Sequence, residues 1–250
     1  MVEARLRTYK SQFTMIIPSN ISVVILVGGL GIRLKPVVGD RPKVMASING
    51  RPFLTYILDQ INDAGLKDVI LCVGYMGKYI EAEMGQTYRN LSLRYSYEYE
   101  PLGTGGALRN AHDFINSDTI LIMNGDSICQ YNAGKFLSFH EKNDAVASLL
   151  LTFVGDTSRY GRVKINDHNH VLAFEEKGSF TGPGWINAGI YLIDRTTISG
   201  IPVKRFVSLE KEIFPSLIGK ELYGFMNDGL FLDIGTPDDF AKAGGFFKKL

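Results

Sequence analysis

Glycines and cations directly follow the first strongly apolar segment of the chain. The apolar segment Val23–Val27 ends at Gly28 and Gly29, and a third glycine follows at Gly31. Four cations come next along the chain, namely Arg33, Lys35, Arg41 and Lys43. Glycine lets the backbone approach a ligand and present its N–H groups, and nearby cations neutralise a bound anion. This pattern predicts a phosphate-binding loop, with a nucleoside triphosphate as the expected ligand.

The spacing excludes two common nucleotide-binding motifs. The dinucleotide fingerprint G-x-G-x-x-G would need a third glycine where Leu34 stands, and Pro36 interrupts the helix that should follow. The P-loop motif G-x-x-x-x-G-K-[ST] does not occur in the chain. On this motif alone, a glycine-rich turn with a solvated basic rim and no ligand stays open as an alternative.

Two aspartates each come directly after a short apolar pattern. Asp126 stands in MNGDS, and Asp233 follows Phe231 and Leu232. Ligands bind at the carboxyl ends of strands in open α/β sheets, so both carboxylates are expected to face one cleft. Mg²⁺ prefers a few carboxylates together with phosphate oxygens and waters. We therefore predict that Asp126 and Asp233 hold Mg²⁺, with Mn²⁺ as a second candidate. An Asx turn at Asp126 and a helix-entry role for Asp233 are the alternatives.

The composition excludes several classes of partner. The 250 residues carry 27 basic and 26 acidic side chains, and the net charge of +1 offers no general attraction to nucleic acid. Cys72 and Cys129 have neither disulfide-framework nor metal-site spacing, which favours a reducing compartment. The chain has no apolar stretch of membrane-spanning length and no apolar signal-peptide core. We expect a cytoplasmic protein that acts on small molecules, without nucleic-acid or membrane partners. A homo-oligomer stays open.

Strands and helices alternate through the first half of the chain. The predicted strands are Val23–Val27, Val69–Val73, Leu93–Tyr97 and Thr119–Met123. Three helices are predicted in this half. The first begins at Pro52 and ends before Gly65, and the other two cover Lys78–Met84 and Ala107–Phe114. This alternation specifies a mainly parallel sheet with helices on both faces.

The second half of the chain has a different pattern. Strands are predicted in quick succession at Val146–Phe153, Gly161–Ile165, Val171–Glu175 and Ile186–Ile193, which indicates a mixed or antiparallel portion. A helix is predicted to begin at Thr236, with a capping hydroxyl, a proline next and two carboxylates in its first turn. We predict an α/β protein with a Rossmann-like three-layer fold and a mainly parallel mixed sheet.

The chain resembles the sugar nucleotidyltransferases, which join a sugar 1-phosphate to a nucleoside triphosphate and release pyrophosphate. The matching motifs, in the family's order, are GGLGIRL (Gly28–Leu34) with RPK (Arg41–Lys43), PLGTGGAL (Pro101–Leu108), NGD (Asn124–Asp126), EEK (Glu175–Lys177), NAGIY (Asn187–Tyr191) and LDIGTPDDF (Leu232–Phe240). They cover nearly the whole chain. The resemblance implies the GT-A-like form of the predicted fold. Residues 1–20 carry charge and little periodicity, which predicts an extension of unknown role. One domain is expected at 21–250, with a nucleotide half at about 21–130 and a sugar-phosphate half at about 131–250.

The resemblance implies roles for residues of the nucleotide half. Nucleotide contacts are expected from Val27, Gly28, Gly29, Gly31, Gly103 and Gly105. Thr104 and Glu100 are expected near the base, with Glu100 accepting from guanine. Arg33 is the expected transition-state cation, because its planar fork reaches two oxygens at once. Lys43 is the expected point charge on the α-phosphate side.

The resemblance also implies the sugar side and the metal. Glu176 and Asn187 are expected to hydrogen-bond sugar hydroxyls. Lys177 is expected to bind the sugar phosphate, with Gly125 on the same side. The family places metal-binding aspartates at the positions of Asp126 and Asp233, again with Mg²⁺ as the cofactor.

The motifs are similar in particular to the D-glycero-α-D-manno-heptose 1-phosphate guanylyltransferase group. This implies transfer of GMP from GTP to that sugar phosphate, for surface glycan synthesis. A mannose- or glucose-1-phosphate nucleotidyltransferase with another triphosphate is the alternative.

Two other classes of protein remain as competing interpretations. A glycosyltransferase would use a D-x-D metal motif, but Ile128 stands two residues after Asp126. A catalytically silent subunit that binds nucleotide sugar would explain Ile32, which stands where the family usually has threonine. The retained Arg33 and Lys43 argue against the silent subunit.

Overall fold

The computed structural model describes residues 21–29 and 31–248. The predicted extension at residues 1–20 lies outside these described residues. Leu30 also lies outside them, within the stretch Gly28–Gly31 that we call the first glycine segment.

The described chain alternates strands and helices in its first half and is richer in strands in its second. The strands are β1 (Ser22–Leu26), β2 (Ser47–Ile48), β3 (Arg51–Pro52), β4 (Asp68–Val73), β5 (Thr87–Tyr88), β6 (Leu91–Tyr97), β7 (Thr119–Asn124), β8 (Ser127–Cys129), β9 (Ala147–Val154), β10 (Arg162–Ile165), β11 (Val171–Glu175), β12 (Gly184–Asp194), β13 (Leu222–Asn227) and β14 (Phe231–Asp233). The α-helices are α1 (Lys35–Val38), α2 (Phe53–Asp63), α3 (Gly77–Met84), α4 (Gly103–Asn110), α5 (Ala133–Lys142), α6 (Arg195–Ser199), α7 (Phe214–Ser216) and α8 (Pro237–Phe246). Short 3₁₀ turns cover Lys43–Met45 and His112–Phe114, and the π-helical turn Leu209–Ile213 runs directly into α7.

One eight-stranded sheet organises the molecule, in the order β13-β9-β12-β7-β1-β4-β6-β5. Strand β1 pairs in parallel with both β4 and β7, and β6 pairs in parallel with β4. Strand β12 is antiparallel to β7 and to β9, which itself pairs in parallel with β13. The predicted α/β fold with a mainly parallel mixed sheet is therefore confirmed, and strands from both halves of the chain share this sheet.

The continuous apolar run of β1 reflects burial on both faces of the sheet. Val23 and Ile25 point into one hydrophobic cluster, which includes Phe53 of α2 and Phe136 of α5. Val24 points into the cluster on the opposite face, which includes Leu108 of α4 and Phe214 of α7. Successive residues of a strand face opposite sides, so a run with no polar alternation marks a central strand.

Helix α4 begins earlier than the apolar pattern predicts. The predicted helix Ala107–Phe114 is an α-helix at Gly103–Asn110 followed by the 3₁₀ turn His112–Phe114. The second glycine segment, Gly103–Gly106, is thus the first turn of α4, although glycine disfavours helices. The physical reason lies in the segment that packs on it, described below.

The two predictions about helix starts have different outcomes. The hydroxyl of Thr236 accepts from the amide of Asp239 at the start of α8, as predicted. Pro52 is not the first helical residue, because it pairs in β3 and α2 begins at Phe53. Within residues 21–29 and 31–248, every helix is too short or too polar to span a bilayer.

Candidate active site

The first glycine segment leaves the sheet at the carboxyl end of β1, beside the loop that follows β7. The amide of Gly125 donates to the carbonyl of Leu26 at 2.9 Å. A side-chain carbon at Gly125 would lie 2.5 Å from the Cγ1 of Val27, so only glycine fits there. Gly31 has φ +60° and packs over the Cβ of Lys43. The loop after β1 is thereby fixed against the Asn124–Asp126 turn and against the lysine.

The outer part of this segment is exposed. Among the described residues, no atom lies within 4 Å of the position a side chain would take at Gly29. Arg33 is exposed in the turn before α1, and Ile32 beside it is 71% exposed. Lys35 forms an exposed ion pair with Asp40 at 3.3 Å, as expected of a rim charge. The open glycine and the exposed arginine lie close together along the chain, where a charged ligand can reach both.

Lys43 and the two predicted metal ligands form one cluster. The ammonium of Lys43 donates to Oδ2 of Asp126 at 2.8 Å, and only 10% of the lysine side chain is exposed. A side-chain carbon at Gly235 would lie 2.5 Å from Oδ1 of Asp233 and 3.6 Å from Nζ of Lys43. The lysine ammonium therefore lies beside both carboxylates, which the sequence separates widely.

The short antiparallel pair of β8 and β14 brings the two aspartates together. Asp233 pairs with Ser127, the residue after Asp126, and the amide of Ile234 donates to the carbonyl of Asp126 at 2.9 Å. Burial is the main cause that raises the pKa of Asp233, and the neighbouring Asp126 raises it further. Two carboxylates held this close repel each other, and a cation between them relieves that repulsion.

These carboxylates fit a hard divalent cation. Among the described residues, no group of three or more His, Cys, Asp or Glu side chains is arranged to hold a metal ion. Mg²⁺ does not need such a cage, since it is commonly held by one or two carboxylates plus substrate phosphates and waters. Asp126 and Asp233 provide that donor set. The predicted Mg²⁺ site is chemically consistent with the structure, and metal binding itself stays a prediction.

Glu98, which the sequence analysis did not select, lies at the carboxyl edge of the sheet, beside the first glycine segment. Its Oε1 would lie 2.5 Å from a side-chain carbon at Gly28 and 2.8 Å from one at Gly74. Its backbone amide donates to the carbonyl of Val73 at 2.9 Å, which extends the β4–β6 ladder by one residue. Burial raises the pKa of the Glu98 carboxyl. A partly buried carboxylate between two glycines is well placed to accept hydrogen bonds from a ligand.

The glutamate that sequence reasoning selected, Glu100, is exposed beside the 96% exposed Tyr99. Its contact with the base stays a prediction. The sequence signal that points to Glu98 is the register of β6. This strand ends at Tyr97, so Glu98 is the first residue at the carboxyl edge of the sheet.

The second glycine segment packs against the chain rather than opening a cavity. The amides of Gly105 and Gly106 donate to the carbonyl of Val207 at 2.8 and 3.2 Å. Side-chain carbons would lie 2.6 Å from that carbonyl oxygen at Gly103, and 2.5 Å from the carbonyl oxygen of Arg205 at Gly106. These glycines let a distant segment approach the start of α4, which explains why a helix begins with them. The predicted nucleotide contacts of Gly103 and Gly105 stay predictions.

Thr104 lies in a partly buried polar network rather than at an open edge. Its hydroxyl donates to Oε2 of Glu210 at 2.8 Å and accepts from the amide of Leu209 at 2.8 Å. Glu210 also accepts from the phenol of Tyr191 at 3.4 Å. The predicted contact between Thr104 and the base edge therefore has a competing partner within the protein.

The predicted sugar-side residues fall into two groups. Asn187 is half-buried, with Oδ1 accepting from the amide of Gly189 and Nδ2 donating to the phenol of Tyr191. Glu176 and Lys177 are exposed in the loop after β11, which belongs to a separate two-stranded sheet. The structure thus places Asn187 on a central strand, and Glu176 and Lys177 on a surface loop.

Comparisons with known proteins agree with this architecture. The sequence profile of the family described as nucleotidyl transferase matches residues 22–249. The chain is 39% identical to the D-glycero-alpha-D-manno-heptose 1-phosphate guanylyltransferase of Aneurinibacillus thermoaerophilus, covering 88% of this chain and 95% of that protein. It is 38% identical to the mannose-1-phosphate guanylyltransferase of Mycobacterium tuberculosis, covering 89% of this chain but only 63% of that longer protein.

A solved structure matches over the same extent. The crystal structure of HddC from Yersinia pseudotuberculosis complexed with GMP-PN has a TM-score of 0.81 and 35% sequence identity to this chain. The match covers 91% of this chain and 99% of HddC.

Proposed function

Because the chain belongs to the nucleotidyl transferase family, we propose that it transfers GMP from GTP to D-glycero-α-D-manno-heptose 1-phosphate and releases pyrophosphate. The observation that carries the proposal is the cluster of Lys43, Asp126 and Asp233 beside the open first glycine segment. Its support comes from relatives named for this reaction, of which the chain covers 95% and 96%.

The reaction needs positioned charges rather than a side-chain nucleophile. An oxygen of the sugar phosphate attacks the α-phosphorus of GTP in line, a new P–O bond forms, and the bond to the β-phosphate bridging oxygen breaks. Negative charge accumulates around the α-phosphorus, so preorganised cations stabilise the transition state. Arg33 is exposed and can follow the triphosphate, whereas Lys43, held by its contacts with Gly31 and Asp126, would be the point charge on the α-phosphate side. Asp126 and Asp233 would hold Mg²⁺, which neutralises phosphate charge when it is bound.

Glu98 supports guanine as the base. The guanine edge carries two adjacent donors, the N1–H and the 2-amino group, and a carboxylate can accept from both. Adenine has no donor at N1 and no 2-amino group, so at that edge it would leave the carboxylate with only its 3.4 Å bond from the amide of Leu102. A site built for hydrogen bonds rejects a ligand that lacks them much more strongly than an apolar site does. We therefore assign the role of base acceptor to Glu98 in preference to Glu100.

The sugar side is assigned to Asn187, Glu176 and Lys177, with Gly125 at the turn before Asp126. Asn187 keeps one amide hydrogen for a sugar hydroxyl after its bond to Tyr191. Lys177 would bind the sugar phosphate as an exposed point charge. The product, a nucleotide sugar, would be made in the cytoplasm for surface glycan synthesis.

Mannose 1-phosphate is the second candidate acceptor. The identity of 38% to a mannose-1-phosphate guanylyltransferase favours it. Mannose 1-phosphate lacks only the extra carbon and hydroxyl of the heptose, so we expect detectable but poorer turnover.

A matrix of substrates tests the proposal. Pyrophosphate release is measured with GTP, ATP, CTP, UTP and dTTP against heptose, mannose and glucose 1-phosphates, with Mg²⁺ or with excess chelator. The proposal predicts the highest kcat/KM for GTP with the heptose and no turnover in chelator. A preference for another triphosphate would reject the guanylyl assignment, and turnover in chelator would reject the metal. No pyrophosphate release with any pair would reject the enzymatic function.

A further inference from the structure

A series of partly buried hydrogen bonds connects the start of α4 with Asn187 on β12. Its central residue is Glu210, on the π-helical turn Leu209–Ile213. Oε2 of Glu210 accepts from Thr104, and Oε1 accepts from Tyr191, whose phenol accepts in turn from Nδ2 of Asn187 at 2.9 Å. Tyr191 is completely buried, whereas Thr104, Glu210 and Asn187 are half-buried.

The direction of every bond in this series is fixed by the groups at its ends. The hydroxyl of Thr104 accepts from the amide of Leu209, and the hydroxyl of Ser208 accepts from the amide of Lys211 at 3.2 Å. Each hydroxyl therefore gives its proton to Oε2 of Glu210, at 2.8 Å from Thr104 and 3.0 Å from Ser208. A carboxylate has no proton to give, so it is the acceptor at both of its oxygens.

The same logic determines the state of Tyr191. Its phenol has one proton, and that proton goes to Oε1 of Glu210. Burial raises the pKa of this phenol well above its usual value, so the proton stays on the oxygen. The phenol oxygen then accepts from Nδ2 of Asn187 at 2.9 Å, with the side chain of Asn124 as a second partner, so the NH₂ end of the Asn187 amide faces Tyr191.

Asn187 is consequently held in one of its two amide orientations. The opposite end of the amide, Oδ1, accepts from the amide of Gly189 at 2.8 Å, which is the arrangement that Tyr191 and Glu210 demand. One amide hydrogen and one lone pair of Asn187 remain for a ligand. A flipped amide would set an NH₂ group against the N–H of Gly189 and leave buried donors unpaired, which costs free energy.

We propose that Glu210 is a positioning residue: through Tyr191 it fixes the amide orientation of Asn187 and so sets the affinity for the sugar 1-phosphate. This inference rests on the proposed function, since it assumes that Asn187 binds a sugar hydroxyl. In this role Glu210 acts through Tyr191 and not by contact with the substrate. The bond between Glu210 and Thr104 also connects this series of hydrogen bonds to helix α4, which begins within the motif PLGTGGAL.

Replacing Glu210 by glutamine reverses the donor–acceptor direction of the hydrogen bonds from Glu210 to Tyr191 and from Tyr191 to Asn187. The hydroxyls of Thr104 and Ser208 need an acceptor, so the amide oxygen of Gln would take the place of Oε2 and its NH₂ would face Tyr191. The phenol would then have to turn its proton toward Asn187. Glu210→Gln should raise KM for the sugar 1-phosphate about tenfold, the effect expected for losing one good hydrogen bond. KM for GTP should stay within about twofold.

Two further variants separate positioning from a general structural role. Glu212→Gln is the matched control, because Glu212 lies on the same turn but is exposed and accepts from the backbone of Ser208. It should leave both KM values unchanged. Tyr191→Phe interrupts the series at its centre with no change of charge, so it should give the same selective rise in sugar KM even where Glu210→Gln proves too unstable to assay.

A double-variant cycle gives the decisive measurement. Steady-state kinetics with GTP and heptose 1-phosphate are measured for Glu210→Gln, Asn187→Ala and the combination, with thermal unfolding as a check on folding. If Glu210 acts through Asn187, the combination is no worse than Asn187→Ala alone. Multiplied effects, or an equal rise in both KM values, would overturn the inference while leaving the proposed function intact. An Asn187→Ala variant with normal kinetics would overturn the inference, and a wild-type protein without transfer activity would overturn both.

Discussion

The two glycine-rich segments look alike in the sequence but meet different surroundings in the fold. At Gly29 in the first segment, the space a side chain would take is free of other described residues. At Gly106 in the second segment, the same space is filled by the carbonyl of Arg205. Glycine therefore leaves open space in one place and lets a distant part of the chain approach in the other. The density of glycines predicts close approach, but only the fold decides what approaches.

The largest expected effect tests whether the first segment carries the catalytic charge. Arg33→Ala should lower kcat by about 100-fold or more, because a contact to the transition-state charge is lost. Lys35→Ala is the matched control, since Lys35 is an exposed cation of the same loop that pairs with Asp40. It should change kcat less than about twofold. Both constants come from pyrophosphate release at saturating substrates.

A smaller fall in kcat for Arg33→Ala than for Lys35→Ala would place the catalytic cation elsewhere. The first segment would then be an open loop without the role that separates it from the second.

A pair of glycine substitutions tests the comparison directly. Gly106→Ala should destabilise the protein by about 1–3 kcal/mol, because the new carbon would lie 2.5 Å from a backbone oxygen. The melting temperature should fall by several degrees in a chain of this size. Gly29→Ala should leave the melting temperature unchanged but raise KM for GTP, because its methyl group occupies the space proposed for the phosphates.

Thermal unfolding and GTP kinetics are measured for both glycine variants. If Gly29→Ala lowers the melting temperature as much as Gly106→Ala, the first segment is packed rather than open. Should neither variant affect GTP binding, the phosphates must lie away from both segments.

The smallest expected effect concerns pH and the base. The pKa of Glu98 is raised by burial, so its carboxylate is lost at a higher pH than an ordinary glutamate. As pH falls through that raised value, protonation removes an acceptor for guanine, and KM for GTP should rise severalfold. Cys72 lies near Glu98 but stays a thiol near neutral pH, because burial raises its pKa far above its usual value.

Glu98→Gln is the control for the titration of GTP itself. This variant cannot ionise, so its KM for GTP should be higher at neutral pH and should depend less on pH. KM is measured between pH 5 and 8 for both proteins. Identical pH profiles would show that Glu98 does not contact the base.

The sequence predicts the central strands well because their signals are local. The run Val69–Val73 is apolar throughout and forms the buried part of β4, and Thr236 caps α8 through a neighbouring amide. Such features depend on residues a few positions apart. The mixed character of the second half was also predictable, since its strands follow one another too closely for parallel crossovers.

The features that escaped prediction depend on distant residues. Nothing near Gly103 or Gly106 in the sequence reveals that Arg205 and Val207 cover them. Glu98 differs in this respect, because the predicted strand already ends at Tyr97, as β6 does, and this local signal in YEYEP favours Glu98 over Glu100 at the edge of the sheet. Packing between remote segments is not encoded in local periodicity.

The pairing of β8 with β14 also has a consequence for how the protein is made. The N-terminal part of a chain emerges from the ribosome first, so the early strands can begin to fold before the later ones have been synthesised. Asp126 emerges long before Asp233, and the antiparallel contact between β8 and β14 closes a long loop, which is a slow step. A nascent chain that ends before β14 would carry the glycine loop, Arg33 and Lys43 but only one of the two carboxylates. Metal-dependent chemistry on the abundant cellular triphosphate pool would therefore start only once synthesis has passed β14.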